Sequence, residues 1–333
     1  MLRLRLAASP QASAQHDREK TVNVDVIFCG TPEFAVPTLN ALVEGGFRVR
    51  LVVTQPDRPR GRGLEVTPSP VKRRADELAL PVVQPEKIKS NLQFRAQLEA
   101  IAPRAIVVVG YGRMIPAWMI ALPPLGNINL HASLLPKYRG AAPVQWAIAR
   151  GESVTGVTTM RIDEGLDTGD ILLQREEPIR PADTAVTLAP RLAAAGAALV
   201  VETLRSLDAG GITPRRQENS LATLAPVLRK DEGRMDFQRP ARELHNRLRG
   251  FQPWPGAFTT FRGKNLNVWQ AQPAEARMQL KPGELRVDGD RLVAGCGDES
   301  ALELLEVQPE GKRRMPAHDF VNGYRLQPGE RLG

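Results

Sequence analysis

The amino-acid sequence predicts an α/β domain with a parallel sheet, followed by a smaller domain of short β-strands. From Val22 to about Leu207, apolar runs rich in β-branched residues alternate with helical patterns. Such alternation is typical of a parallel sheet that is covered by helices on both faces. Beyond residue 217, short strands are separated by Gly and Pro, which is the pattern of a small β-barrel.

Individual elements follow from the same patterns. Strands are predicted at residues 22–30, 47–55, 82–84, 105–110 and 127–133. Helices are predicted at residues 37–46, 71–80, 92–101, 183–207 and 239–251. The segment 208–217 has the Gly and Pro content of a linker. We therefore expect a first domain at 22–207 and a second at 218–333.

Composition narrows the class of partner and of compartment. Residues 1–21 are basic and lack the apolar core of a signal peptide, and Asp17 and Glu19 argue against a transit peptide. We expect a disordered tail or a mis-assigned start there. No apolar run reaches the ~18–20 residues that span a bilayer. Cys29 and Cys296 stand apart from each other, which indicates a reducing compartment without a zinc site. The net charge of +8 favours an anionic partner such as nucleic acid or anionic lipid.

One of the four histidines follows a predicted buried strand, and that histidine is His131. His16 lies in the tail, His245 on a basic helix and His318 in a C-terminal loop. Asn129 precedes His131 by two residues, so both side chains point to one face of the strand. An amide can donate to a developing oxyanion and an imidazole can move a proton, which indicates carbonyl chemistry.

Such an imidazole needs a carboxylate to orient it and to stabilise its charged form. The loop RIDEGLDTGD offers Asp163, Asp167 and Asp170, and its residues alone do not choose among them. Gly165 and Gly169 allow the backbone of this loop to approach a ligand closely. The loop GYGRMIP does not match a dinucleotide fingerprint and no Walker-type phosphate loop occurs, so NAD or ATP chemistry has little support.

At this point the motifs resemble a known family. NLHASLLPKYRGAAP, with GLDTGD downstream, resembles the signature of folate-dependent formyltransferases. Four further segments resemble the methionyl-tRNA branch of that family: VIFCGTPEFAVPTLNAL, VVTQPDRPRGRG…TPSPVK, VVVGYGRMIP and KDEGRMDF…LRGFQPWPGAFT. The resemblance extends from residue 24 to the C-terminus and keeps the family's order of motifs.

The resemblance implies a Rossmann-like formyltransferase domain and a C-terminal OB-like, tRNA-binding barrel. It implies transfer of the formyl group of 10-formyltetrahydrofolate to methionyl-initiator tRNA in cytoplasmic translation initiation, without a metal. Asn129 and His131 would stabilise the tetrahedral oxyanion and move a proton, and Asp167 would orient and charge His131. The residues implied around the folate are Gly110, Gly112, Arg113, Met114, Ile115, Ser133, Leu134, Leu135 and Pro136.

Basic residues between Phe47 and Arg74 suit a tRNA partner. QPDRPRGRG has the composition of a mobile loop, and its arginines can bind phosphates bidentately. The resemblance implies that this loop enters the acceptor stem. The residues implied in tRNA contact are Arg58, Arg60, Arg62 and Lys72. The departures from the family's usual residues are Leu64, Glu65, Leu224 and Val227.

Two alternatives remain open. A sugar-nucleotide N-formyltransferase would keep the same three catalytic residues but has no use for the arginine-rich loop. A non-catalytic RNA-binding relative would bind tRNA without folate and without turnover. We expect a monomer with no membrane partner.

Overall fold

The structure is a computed structural model that describes residues 24–60, 65–274 and 279–333. The predicted tail at 1–21 lies outside the described residues, as do Arg62 and Leu64. Contacts divide the chain into two compact units. The first unit holds residues up to Pro136, Gly156–Arg175 and Arg191–Leu221. The second unit holds Lys137–Thr155, Glu176–Pro190 and Ala222–Gly333.

A seven-stranded sheet in the order β5-β2-β1-β6-β7-β8-β9 organises the first part of the chain. The seven strands of this sheet are β1 (Asp25–Gly30), β2 (Arg48–Val53), β5 (Val82–Val83), β6 (Ala105–Val109), β7 (Asn127–His131), β8 (Val154–Arg161) and β9 (Ile171–Pro178). Strands β3 (Arg58–Arg60) and β4 (Glu65–Thr67) form a separate two-stranded sheet. The five neighbouring strands β5, β2, β1, β6 and β7 are parallel, as predicted. Every residue of β6 is buried, which explains its unbroken apolar sequence. The antiparallel pairing of β8 with β7 was not expected from the sequence.

Six α-helices are described between residues 36 and 208, and capping side chains set where two of them begin. They are α1 (Val36–Glu44), α2 (Pro70–Glu77), α3 (Leu92–Ile101), α4 (Ala117–Ile120), α5 (Pro143–Ala149) and α6 (Ala185–Asp208). The Ser69 hydroxyl accepts from the backbone N–H of Lys72 and caps α2, whose first residue is a proline. Asn91 caps α3 in the same way through the N–H of Phe94. The capped helices coincide with the predicted ones to within three residues.

Residues 58–60 and 65–67 form two short strands, whereas composition predicted a mobile loop around the arginines. β3 and β4 pair antiparallel, with Arg58 opposite Thr67 and Arg60 opposite Glu65. The β-branched residues Val66 and Thr67 favour an extended backbone, which opposes the loop signal of the prolines and glycines. The arginine-rich segment therefore begins as one strand of a β-hairpin.

The second unit contains a six-stranded antiparallel sheet in the order β10-β11-β14-β13-β12, with β15 beside β14. Its strands are β10 (Phe258–Phe261), β11 (Lys264–Pro273), β12 (Leu285–Asp288), β13 (Arg291–Gly295), β14 (Ala301–Pro309) and β15 (Met315–Pro316). Backbone bridges of Leu332 with Phe261 and of Arg331 with Glu284 link the two ends of this curled sheet. The arrangement is a half-barrel, consistent with the predicted OB-like domain.

Two helices, α7 (Ala241–Gly250) and α8 (Ala317–Tyr324), pack on the second sheet. In the same unit α7 also packs against α5. A Cβ on Gly250 would lie 2.6 Å from the carbonyl oxygen of Gln145, so only glycine permits this approach. The Trp146 and Phe251 rings meet edge to face at a centroid distance of 5.3 Å. The segment that carries α5 thus shares a core with residues one hundred positions away.

Helix α6 is the described helix that is long and apolar enough to cross a membrane, judged by length and composition only. Buried core helices of soluble proteins pass the same test. Leu192, Leu199, Val200 and Leu204 of α6 are all nearly inaccessible. Next to them, the Thr203 and Thr159 hydroxyls lie 2.8 Å apart, which joins α6 to β8. The apolar face of α6 is therefore occupied by packing against the sheet.

Gly196 of α6 tests this packing. A Cβ there would lie 2.6 Å from Leu130 Cδ2 and 2.9 Å from Cδ1, and Leu130 is itself buried. We expect Gly196→Ala to lower the free energy of unfolding by about 1–3 kcal/mol, the usual cost of overpacking. Gly323→Ala is the matched control in α8, because a Cβ there meets nothing within 4 Å. It should stabilise by up to about 1 kcal/mol. Urea unfolding measures both, and equal stabilisation would contradict the tight α6 contact.

Candidate active site

Strand β7 places Asn129 and His131 side by side on one face. β7 runs between β6 and β8, with Val108 opposite Asn129 on one side and Thr158 opposite His131 on the other. His131 is the last residue of the strand and only 6% exposed, whereas Asn129 is half-buried. No hydrogen bond among the described residues uses the Asn129 side chain. Its amide can therefore donate to a ligand.

The loop between β8 and β9 brings one carboxylate to the imidazole. Asp167 Oδ2 lies 3.6 Å from His131 Nδ1, which is within ion-pair range and slightly longer than a hydrogen bond. The Asp167 side chain is 17% exposed, so little water screens it from the ring. The three candidate carboxylates are thus distinguished by geometry. Asp163 is occupied inside the loop, where it accepts from the Thr168 hydroxyl at 2.8 Å and from the N–H of Gly165 at 3.0 Å.

Two glycines set the course of this loop. A Cβ on Gly169 would lie 1.9 Å from the carbonyl oxygen of Arg161, and a Cβ on Gly165 would lie 2.0 Å from the Thr168 hydroxyl. Asp167 itself has a φ of +52°. Residues with a Cβ rarely adopt this conformation unless their surroundings impose it. The loop sequence GLDTGD is therefore required by the backbone path as well as by the carboxylate.

The segment after His131 is held from outside by Thr158 and Gln174. The Thr158 hydroxyl donates to the Ser133 carbonyl at 2.6 Å and accepts from the N–H of Leu135 at 3.2 Å. Gln174 Nε2 donates to the Leu135 carbonyl at 2.9 Å. Ser133 and Leu135 are buried, whereas Leu134 and Pro136 are partly exposed. Of the four folate candidates in this segment, only the latter two offer side-chain surface.

The loop after β6 is held in a comparable way by Gln55. Gln55 Nε2 donates to the carbonyls of Tyr111 and Gly112 at 3.0 and 3.4 Å, and its Oε1 accepts from Arg113 Nε at 3.0 Å. Arg113 also donates to the carbonyl of Glu86. Among the folate candidates here, Gly110 and Gly112 have φ values of +55° and +77°. Met114 is 67% exposed and Ile115 is buried. The turn thus presents backbone and one thioether to solvent.

Sequence reasoning did not single out Gln55, Gln84, Thr158, Gln174 or Gln217. Gln55 could have been suspected, because it follows the carboxyl end of a parallel strand, where ligand sites form. The others bind backbone carbonyls or side chains distant in sequence, and no local pattern reports such a partner. The structure therefore adds a set of supporting amides and hydroxyls around the predicted residues.

The predicted tRNA residues differ in their surroundings. Lys72 Nζ lies 2.7 Å from Asp57 Oδ2, so its charge is paired at the base of the hairpin. Gln84 Nε2 donates to Asp57 Oδ1 at 2.6 Å. Arg58 is exposed and makes no ion pair within the described residues. The side chains of Arg60 and Arg62 lie outside the described part. Of the departures from the family pattern, Leu224 and Val227 are 62% and 68% exposed.

Within the described ranges, no group of three or more His, Cys, Asp or Glu side chains is arranged to hold a metal ion. Cys29 and Cys296 are both buried, and burial raises the pKa of each thiol. Burial likewise raises the pKa of Tyr111, whose ring lies in the core under the β6 loop. These three groups are therefore neutral near pH 7.

A buried imidazole lies beside a carboxylate where parallel strands end in glycine-rich loops, an arrangement that suits a group-transfer enzyme acting on a carbonyl carbon. Residues 22–204 match the formyl transferase family, and residues 227–325 match the formyl transferase C-terminal domain. The chain belongs to the formyl transferase family.

Curated relatives carry a more specific name. The chain is 64% identical over 308 residues to the methionyl-tRNA formyltransferase of Koribacter versatilis (strain Ellin345), covering 92% of this chain and 98% of the relative. It is 61% identical over 308 residues to the methionyl-tRNA formyltransferase of Acidobacterium capsulatum, covering 92% of this chain and 99% of the relative.

A solved structure shares the fold at lower identity. The N-formyltransferase from Helicobacter canadensis, in complex with folinic acid and dTDP-3-aminofucose, has a TM-score of 0.64 and 18% identity. That match covers 86% of this chain and all of the other. At this identity the likeness concerns the fold alone.

The Asp57 ion pair gives a prediction with a defined pH dependence. Hydrogen bonds from Lys72 and then Gln84 lower the pKa of Asp57 against the opposing effect of burial. A carboxyl whose pKa is lowered by folding stabilises the fold above its unfolded pKa, about 3.9, and loses that contribution as pH falls through the folded value. We expect Asp57→Asn to lower Tm at pH 7, and the difference to shrink below about pH 4.

Asp76→Asn is the control for this measurement. Asp76 is exposed on α2 and makes no ion pair with a described residue. Its substitution should change Tm little at any pH. A Tm difference for Asp57→Asn that is the same at pH 3 and pH 7 would contradict a stabilising ion pair.

Proposed function

We propose that this chain transfers the formyl group of 10-formyltetrahydrofolate to the amino group of methionyl-initiator tRNA, giving N-formylmethionyl-tRNA for translation initiation. Relatives of that name reach 64% identity over nearly the whole chain. The observation that carries the proposal is the His131–Asp167 pair, at 3.6 Å, on the strand that also presents the Asn129 amide. This pair supplies the groups that formyl transfer needs.

The proposed catalytic roles follow from the charges that develop during the reaction. The neutral amino group attacks the formyl carbon, and negative charge builds on the formyl oxygen. Asn129 and His131 donate to that oxygen, and one such donor contributes about 10²–10³ in rate. Asp167 orients the imidazole and stabilises its charge, and the charged imidazole donates a proton to the folate nitrogen as the bond between that nitrogen and the formyl carbon breaks. The proton that the attacking amino group loses restores the charged imidazole. Such proton transfer contributes about 10²–10⁴.

The folate, as co-substrate, fits the loops that follow β6 and β7. Gly110 and Gly112 expose backbone at positive φ, and Met114 exposes an apolar side chain beside them. Leu134 and Pro136 add partly exposed apolar surface after His131. A flat heterocycle suits this surface, because its faces can pack on the apolar side chains while its polar edge binds the exposed backbone. Arg113 acts through its contacts with Gln55 and Glu86, and so shapes the loop.

The proposed tRNA contact centres on the hairpin of β3 and β4. Arg58 is exposed there, and Arg60 and Arg62 follow it in the sequence. Lys72 forms an ion pair with Asp57 at the base of the hairpin, so we propose a smaller contribution to tRNA binding from Lys72 than from Arg58. We also propose cytoplasmic action as a monomer without a membrane partner, consistent with the packed apolar face of α6. Sedimentation of the purified chain tests the monomer.

The activity is tested by incubating the chain with 10-formyltetrahydrofolate and methionine-charged initiator tRNA, and then analysing the released methionine for an N-formyl group. We expect His131→Ala, Asn129→Ala and Asp167→Asn each to lower kcat by at least about 10²-fold. Asp163→Asn is the matched control, because that carboxylate accepts hydrogen bonds from Gly165 and Thr168 of its own loop and an amide oxygen can accept the same bonds.

The same assay separates the alternatives. Formylation of a UDP-amino sugar in place of the tRNA would replace the proposed acceptor with a sugar nucleotide. Near-normal turnover by both His131→Ala and Asn129→Ala would reject the assigned site. Tight tRNA binding with no folate-dependent turnover would indicate an RNA-binding relative.

A second experiment tests the hairpin. Replacing Arg58, Arg60 and Arg62 together by Ala should weaken tRNA binding and flatten its dependence on salt, because each lost phosphate contact lowers the log–log slope by about 0.7–0.9. The control replaces three exposed, ion-paired arginines elsewhere in the first unit. They are Arg95, Arg104 and Arg175. Equal slopes for wild type and the hairpin variant would remove the hairpin from the interface.

A further inference from the structure

Gln217 lies outside the residues assigned to catalysis, yet its side chain reaches the loop that carries Asp167. We infer that Gln217 is a positioning residue for formyl transfer, which holds the backbone of Asp167 so that its carboxylate faces His131. The inference rests on the proposed function, because it concerns the same site. Gln217 is the last residue of the predicted linker, so this segment supports the loop that carries Asp167.

The contacts of Gln217 are specific. Its Nε2 donates to the carbonyl of Asp167 at 2.9 Å and to the carbonyl of Gly169 at 2.7 Å. Met160 Sδ lies 4.0 Å from the same nitrogen. The residue is 5% exposed. An amide NH₂ has two hydrogens, and two loop carbonyls accept them. The donor end of this buried side chain is therefore directed at the catalytic loop.

These bonds act where the loop needs restraint. Backbone hydrogen bonds hold Ile162 and Asp170 at the two ends of the loop. Residues 163–169 between them have no regular secondary structure, so no ladder of backbone hydrogen bonds fixes them. Asp167 adopts a φ of +52°, a conformation that persists only where surrounding groups impose it. A hydrogen bond to its own carbonyl, and a second to the carbonyl of Gly169, restrain two peptide units on the C-terminal side of Asp167. The direction of the Asp167 carboxylate depends on those units.

The chemistry of the side chain suits this role. A lysine or arginine at this place would bring a positive charge close to the Asp167 carboxylate and compete with His131 for it. A neutral amide fixes the backbone and adds no net charge. Because the Gln217 side chain is buried, its hydrogen bonds are costly to break. A displaced N–H would lose its carbonyl partner without gaining one from water.

The segment that carries Gln217 is itself anchored to the sheet. Arg215 and Ile171 exchange backbone hydrogen bonds of 2.8 and 2.9 Å at the start of β9. Arg215 Nη2 also donates to Gln174 Oε1 at 2.7 Å, and Gln174 holds the Leu135 carbonyl. Gln217 therefore restrains the Asp167 loop from a fixed point. One segment supports both the loop after His131 and the loop that faces it.

Gln217→Met removes both donors while it keeps the length of the side chain beside Met160. We expect kcat to fall about 10- to 100-fold, the penalty for a displacement of about 1 Å in a catalytic group. KM for tRNA and for folate should stay close to wild type, because the amide serves the loop. Gln217→Glu keeps the shape but faces two carbonyls with a carboxylate, so the loss should be at least as large. Gln93→Met, exposed on α3, is the matched control.

A double variant separates positioning from a merely structural role. If Gln217 acts through Asp167, then Asp167→Asn removes the group that Gln217 positions. Asp167→Asn with Gln217→Met should then be no slower than Asp167→Asn alone in single-turnover assays with enzyme in excess. A structural role would make the two losses multiply.

Each outcome decides the inference. Absence of turnover by the wild type would reject the proposed function itself. With an active wild type, normal kcat in folded Gln217→Met would overturn the positioning role, and so would multiplying losses in the double variant. Tm values identify the folded variants. Loss of folding in both Gln217→Met and Gln217→Glu would also overturn it, because the residue would then serve the fold.

Discussion

A histidine that is 6% exposed at the end of a central strand has little access to water, so neighbouring segments must satisfy its nitrogens. His131 occupies that position at the end of β7. The loop after β8 meets the requirement on one side, where the Asp167 carboxylate lies 3.6 Å from Nδ1. This pairing is useful only if the loop keeps its shape. The glycines of GLDTGD and the amide of Gln217 serve that purpose.

The parallel sheet could be predicted because each of its longer strands contains a run of buried apolar residues. β6 and most of β1 and β2 are buried, so their sequences show unbroken runs of Val, Ile, Leu and Phe. Asn129 and His131 stood out against that background. β8 and β9 could not be recognised so easily. Their sequences, VTGVTTMR and ILLQREEP, mix apolar residues with polar ones or glycine, a composition that also occurs in loops.

What the sequence could not reveal is which distant carbonyl each amide binds. Gln55 donates to a carbonyl 56 residues away, and Gln217 to one 50 residues away. Neither spacing is a helix or strand repeat, so no periodic pattern predicts it. The linker composition of 208–217 arises from its turns and not from an absence of contacts. In the same way, α5 packs on α7 because Gly250 lacks a side chain. No local sequence pattern predicts this contact.

The side chains that hold the backbone carbonyls of Ser133, Leu135, Asp167 and Gly169 from other segments are uncharged. Thr158 and Gln174 hold the residues after His131, and Gln217 holds the residues around Asp167. Charged contacts such as Lys72–Asp57 lie instead at the base of the arginine hairpin. Little water screens the imidazole–carboxylate pair, so a fixed charge beside it would change the electrostatic interaction between the two groups. A neutral donor holds the backbone without changing that interaction. Under the proposed function, the His131–Asp167 pair then directs its charge toward the oxygen that becomes negative during transfer, and charge recognition of the acceptor falls to a separate hairpin.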